Sequence, residues 1–334
     1  MDKLKTLMLI TREMQRACFS DEALGRMAAV TDFQPATLDE MTPETQREAM
    51  RGAHILVSGW GTLHIGADML DAAPGLRLMA HAAGSIWHLT SDAFMERGIR
   101  VTSARDPLAR GVAEFVFGTM LMAMKAAWQF NAQTLGGAFD RDALMAQVRE
   151  PYGAIIGVIG ASHTGRHFIR LLKTLLLKEI LVYDPFLSDA EAGALGVVKT
   201  ELDQLMRQSD VVSLHTPDSP DTRHIINARN LEMMKDHAIF INTARGRCVD
   251  EKALIAELET GRIMACLDVT DPEPPESGSP FYHLPNCILT PHIAGAIKEN
   301  QRMQGETIAD EVVAYAEGRP LAHEIDLRQR DRLA

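Results

Sequence analysis

The chain has 334 residues and a formal charge of −11, long enough for two domains that each bury a core. The acidic balance argues against nucleic acid and an anionic membrane surface, which need a basic face, but leaves room for small anionic substrates. Cys18, Cys248, Cys266 and Cys287 show no CxxC spacing, which points to reduced thiols and no disulfide scaffold.

Along the chain, short apolar runs alternate with helix-like segments, the pattern of parallel α/β sheets. The N-terminal apolar run, Leu7 to Ile10, is short for a signal peptide. Strands are predicted at Thr6–Ile10, Ala28–Thr31, His54–Val57, Leu76–Ala80 and Arg100–Thr102, with helices such as Pro43–Arg51 and Ser91–Arg97 between them. One long helix is predicted from Asp106-Pro107, with proline suited to its first turn, through Phe130. Its apolar stretch Phe115–Met124 is about half a membrane span. The expectation is a soluble, cytoplasmic protein with no membrane partner.

A second series of strands follows at Ile155–Ile159, Ile180–Tyr183, Val211–Leu214, Ala238–Asn242, Ile263–Val269 and Cys287–Leu289. The last helix, Lys298–Glu317, stops at Gly318 and Pro320 and is expected to return to the first domain. The domains are therefore predicted as 1–105 with 296–334, and 106–295: two doubly wound parallel-sheet domains with a cleft between them.

GVIGASHTG (Gly157–Gly165) falls between a strand and a helix, the context of a dinucleotide fingerprint. Gly160 suits the tight turn and Gly165 the close helix packing, while Ser162 stands where the second glycine belongs. Its Cβ crowds a pyrophosphate, although its hydroxyl can donate to one. The helix N-terminus beyond offers free N–H groups and a positive dipole end. Asp184 ends the next strand, where a carboxylate takes ribose hydroxyls. Pro185, Phe186 and Leu187 bring no arginine for a 2′-phosphate, which favours NAD. His163 and His167 have a chelating spacing, but no third ligand is apparent and no metal is expected.

Further on, Arg245 lies in NTARGRCVDEKAL, Glu273 in LDVTDPEPP and His292 in LTPHIAG. Each follows a predicted strand, at the end where open α/β sheets bind ligands. A guanidinium holds a carboxylate through two parallel bonds better than lysine does. A carboxylate beside an imidazolium orients the ring and favours its protonated form. These are the parts needed to reduce a 2-keto acid.

The segments Ser209–Asn227, Asn242–Leu254, Leu267–Pro274 and Thr290–Gly295 resemble, in that order, the signature segments of the NAD-dependent D-isomer-specific 2-hydroxyacid dehydrogenases. The resemblance implies a flavodoxin-like substrate domain and a Rossmann NAD-binding domain. It implies that Arg245 binds the substrate carboxylate and carbonyl, that His292 is the general acid, and that Glu273 is its partner. It further implies that His163 and Thr164 lie beside the pyrophosphate. Thr216, Pro217, Thr243, Ala244 and Asp268 would surround the nicotinamide, and backbone N–H groups of Ala83, Gly84 and Ser85 would hold the substrate carboxylate. HAAGSIW (His81–Trp87) lacks the glycine pair and following aspartate usual in that loop. A homodimer is also implied.

The function expected is an oxidoreductase that reduces a small 2-keto acid with NADH. The segment DVTDPEPP is similar to the glyoxylate and hydroxypyruvate reductases. The alternative is a non-catalytic NAD(H)-sensing or corepressor-like binding protein of the same fold. Keto-acid-dependent NADH oxidation separates the two.

Overall fold

The apolar runs of the first hundred residues form five parallel strands: β1 (Lys5–Ile10), β2 (Asp32–Thr37), β3 (Ile55–Ser58), β4 (Leu78–His81) and β5 (Arg100–Ser103), in the order β2-β1-β3-β4-β5. The computed structural model describes residues 3–39, 41–142 and 145–328. It divides the chain into a unit of residues 1–109 with 296–334 and a unit of residues 110–295.

In the first unit, alternate strand residues face opposite sides of the sheet. Leu7, Leu9, Leu56, Met79 and Val101 pack on one side, and Met8, Ile10, Ile55, Val57 and Leu78 on the other. Helix Lys298–Ala316 covers the second side with Ile308, Ala309 and Val312. It lies so close to helix Arg12–Cys18 that a Cβ on Gly305 would sit 1.8 Å from the Cys18 carbonyl oxygen. Glu311 on this helix is buried and accepts hydrogen bonds from the Thr102 hydroxyl at 2.6 Å and from Ala322 N–H at 2.9 Å.

The second unit carries a parallel sheet of seven strands: β6 (Ile155–Ile159), β7 (Glu179–Tyr183), β8 (Val198–Lys199), β9 (Val211–Leu214), β10 (Ile239–Asn242), β11 (Met264–Leu267) and β12 (Cys287–Leu289). The order β12-β11-β10-β9-β6-β7-β8 reverses direction between β6 and β9, the switch point where such sheets bind ligands beyond their carboxyl ends. Helix Arg105–Met124 has the length and composition of a membrane span. Its Ala113, Val116, Met120 and Met124 are nevertheless buried against Ile156, Val158 and Ile241. All four cysteines are free and buried.

Three expectations about elements are corrected. Ala28–Val30 belongs to helix Asp21–Val30, capped at its start by the Ser20 hydroxyl, and the strand follows it as β2. The long helix ends at Met124, because Ala126 takes a left-handed conformation with φ 48°, and a separate helix covers Ala127–Leu135. The two-residue edge strand β8 had no counterpart among the predicted elements.

Candidate active site

At the β6–β9 switch point, the glycine loop takes the form its spacing predicts. Gly160 has φ +95°, and a Cβ there would lie 2.7 Å from the His215 carbonyl oxygen at the end of β9. Gly165 packs with its Cα so near the loop that a Cβ would come within 2.1 Å of the Gly160 oxygen. Only glycine fits either position. Ser162 is the N-cap of helix His163–Leu172, with ordinary extended backbone (φ −62°, ψ 178°), and its Oγ accepts from Gly165 N–H. A serine is accommodated because this position needs no left-handed backbone, and its hydroxyl proton stays available to an anion. His163 and Thr164 form the first turn of that helix.

Asp184 ties this loop to the neighbouring strand. One oxygen accepts from Ala161 N–H at 2.7 Å and the other from Phe186 N–H at 2.8 Å. Beyond β9, His215 is buried and shares a hydrogen bond with Ser213 at 2.9 Å; burial takes its imidazole down to about 3 and keeps it neutral. The next residue, Thr216, and Thr243 beyond β10 each hold a buried hydroxyl oxygen with no hydrogen-bond partner among the described residues beyond the Cys248 thiol beside Thr216. Buried hydroxyls are ordinarily satisfied, so two such oxygens at the carboxyl edge of this sheet fit a polar ligand laid along it. Pro217 and Ala244 flank them, the Pro217 carbonyl accepting from Thr222 Oγ1 and the Ala244 N–H donating to Asn242 Oδ1. His167 shares a hydrogen bond with Arg170. Among the described residues no group of three His, Cys, Asp or Glu side chains could hold a metal.

Arg245, Glu273 and His292 leave the carboxyl ends of the adjacent strands β10, β11 and β12. The structure brings two of them together: His292 Nδ1 and Glu273 Oε1 are 2.6 Å apart. Both are partly open to solvent, at 50% and 43% exposure. They line a cavity of about 660 Å³ whose apolar wall includes Pro274, Phe281 and Leu289. His292 has φ 53°, a left-handed backbone that is strained for a non-glycine residue. It is held there by its N–H, directed at the Asp268 and Thr290 carbonyls at 3.0 and 3.1 Å.

Arg245 does not line that cavity; its guanidinium donates to the Ala244 carbonyl at 2.6 Å. Its segment is nevertheless locked to that of Glu273. A Cβ on Gly246 would stand 2.1 Å from the Thr270 carbonyl carbon, so the two backbones touch directly.

Asp268, which the resemblance sets beside the nicotinamide, is only 2% exposed. Its Oδ1 accepts from the Thr290 hydroxyl at 2.6 Å and Ile293 N–H at 2.9 Å, and its Oδ2 from Ala294 N–H at 2.8 Å. The carboxylate is committed to the turn that carries His292 and acts as its clamp. Sequence reading missed this because the donors lie more than twenty positions downstream and two of them are backbone.

In the first unit, the loop Ala83–Ser85 follows β4. His81 shares a hydrogen bond with Ser58 Oγ at 3.0 Å and makes another with the Ser85 backbone. Burial takes this imidazole down to about 4, so it stays neutral. Trp87 N–H donates to Ser85 Oγ at 3.3 Å. The buried histidine thus braces this loop by tying it to Ser58 of β3.

The family model described as "D-isomer specific 2-hydroxyacid dehydrogenase, NAD binding domain" matches residues 117–294. The glycerate dehydrogenase of Methylorubrum extorquens is 34% identical over 286 residues, covering 84% of this chain and 88% of that one. The D-3-phosphoglycerate dehydrogenase of Methanocaldococcus jannaschii is 32% identical, covering 89% of this chain but 56% of its own length. The chain thus spans about half the length of that relative. The crystal structure of the TT0316 protein from Thermus thermophilus superposes with a TM-score of 0.77 at 28% identity, covering 96% of this chain and all of that one. With the dinucleotide unit matched almost throughout, and one relative aligned over most of both sequences, the chain belongs to the D-isomer-specific 2-hydroxyacid dehydrogenases and takes NAD as its cofactor.

Proposed function

We propose that this protein reduces a small 2-keto acid to the 2-hydroxy acid. The observation that carries the reading is the 2.6 Å Glu273–His292 pair, held in strained backbone at the carboxyl edge of the dinucleotide-binding sheet. Bound NADH supplies the hydride. Glu273 orients the imidazole, and His292 gives its proton to the carbonyl oxygen as negative charge develops there. In the reverse direction the neutral ring removes that proton. Arg245 swings from the Ala244 carbonyl to hold the substrate carboxylate and polarise the carbonyl. Its exposure and its single local hydrogen bond leave it free to do so. The backbone N–H groups of Ala83, Gly84 and Ser85 are proposed to bind substrate as well.

Thr216 and Thr243 supply the two buried hydroxyls to the cofactor. The helix first turn at His163 and Thr164 faces its pyrophosphate, and Asp184 its ribose. Hydroxypyruvate and glyoxylate are the proposed substrates, both supported by the DVTDPEPP segment and hydroxypyruvate also by the Methylorubrum relative named for glycerate, its reduction product. A screen of NADH oxidation against these and bulkier keto acids tests the reading; NADH binding with no turnover on any of them would favour the sensor alternative. We further propose a cytoplasmic location and a homodimer, the dimer supported by the exposed apolar side chains Met122, Leu135 and Phe139. Sedimentation at micromolar concentration tests the dimer.

Two variants probe the binding roles. Arg245→Lys keeps the charge but loses the paired N–H geometry, so kcat/KM for the keto acid should fall about tenfold to a hundredfold. Unchanged kinetics would remove the carboxylate role. Asp184→Ala should lower NAD affinity and relax the preference over NADP by about tenfold or more, the value of a charge-assisted hydrogen bond. An unaltered ratio of the two dissociation constants would discredit the ribose contact.

A further inference from the structure

Close to the Glu273–His292 pair lies another carboxylate that the acid–base chemistry does not use. Glu251 opens helix Glu251–Glu259, where an acidic side chain ordinarily stands in solvent near the helix's own N–H groups. That capping role is already taken by Asp250, whose Oδ1 accepts from Ala253 N–H at 3.2 Å. Glu251 is instead half-buried, and its Oε1 accepts the Asp271 N–H at 2.7 Å, twenty positions along the chain. The same stretch is pressed by Gly246, within 2.1 Å of the Thr270 carbonyl carbon for a would-be Cβ. The Thr270–Asp271 backbone is therefore held by both residues. From there Thr270 Oγ1 donates to the Pro272 carbonyl at 2.8 Å, and the next residue is Glu273.

We infer that Glu251 is a positioning residue: by taking the Asp271 N–H, its carboxylate fixes the loop 270–273 and thereby the reach of Glu273 to His292. The inference rests on the acid–base assignment proposed above. The groups that face Glu251 are the Asp271 carboxylate and the Cys287 thiol, with the Arg247 guanidinium 3.8 Å from Asp271. Burial pushes the Glu251 carboxyl up to about 7; the Asp271 N–H opposes the rise and the Asp271 charge adds to it. The anchor thus titrates near neutral pH. Because the folded-state value lies above the unfolded one, this group's contribution to stability is complete in acid and is lost as pH rises through about 7.

The test compares wild type, Glu251→Asp and Glu251→Gln in steady-state NADH oxidation with hydroxypyruvate, together with Tm measured across pH. Asp draws the acceptor back by one methylene, and kcat should fall about tenfold, with the KM for keto acid and the Kd for NADH changed less than about twofold. Gln keeps an acceptor oxygen but cannot titrate, so it should hold kcat near wild type while its Tm falls less than wild type's between acid and alkaline pH. Wild-type kcat in the Asp variant, or equal losses in both variants, would overturn the positioning role. Were the Asp variant unfolded, a folded Gln variant with kcat more than about tenfold below wild type would overturn it instead. A wild-type protein inactive on every keto acid would sink the proposed function itself, a result distinct from these.

Discussion

His292→Ala should lower kcat for keto-acid reduction by about a hundredfold to ten-thousandfold, the usual contribution of a placed general acid, while NADH binding survives. The imidazole lies 2.6 Å from Glu273 and, among the described residues, makes no hydrogen bond to the glycine loop, so its loss leaves the cofactor contacts in place. Alanine also relieves little of the left-handed strain at this position, since it too carries a Cβ. Any fall in turnover therefore reports chemistry more than refolding of the turn. Fluorescence titration with NADH and steady-state kinetics on the same preparation check both halves. A variant that turns over like wild type would remove His292 from the mechanism; one that no longer binds NADH would mean the turn, not the proton, had been lost.

The second large effect belongs to Asp268. Alanine there would strand the Thr290 hydroxyl and the Ile293 and Ala294 N–H groups in a setting where the aspartate is 2% exposed. Ala294 is buried while Thr290 and Ile293 are partly open to solvent, and an unsatisfied buried donor costs about 1–3 kcal/mol, so the unit should lose about 2 kcal/mol. For a unit of this size that is a fall in Tm of about 4–8 °C. Turnover should fall with it, because the clamp holds His292 in backbone it would not otherwise keep. Differential scanning calorimetry and kinetics read the two effects separately. A Tm within about 2 °C of wild type would show that the clamp is dispensable.

Much of this was legible from the residues, and the gaps have physical causes. Strands buried on both faces announce themselves as apolar runs, and β1, β6, β9 and β10 fall where those runs lie. Two of the edge strands do not. β2 reads DFQPAT, mostly solvated and carrying Pro35, and β8 is two exposed residues. A proline with its missing N–H turned away from the sheet is tolerated only at an edge. The helix that stops at Met124 has an apolar pattern running straight through the break, and nothing in Lys125-Ala126 marks a left-handed residue. At the site, Gly160 and Gly165 could be foreseen from local spacing after a strand, and the Glu273–His292 pair from the family resemblance. The Asp268 clamp, the Glu251 anchor and the His81 brace could not. Their partners are largely backbone groups, brought close only when the loops fold.

The most direct test is NADH consumption by the wild-type protein with hydroxypyruvate and glyoxylate, followed to completion with product analysis. One hydroxy acid formed per NADH oxidised, of D configuration where the product is chiral, is the expected result. NADH bound but unconsumed, in the presence of these and larger keto acids, would contradict the account.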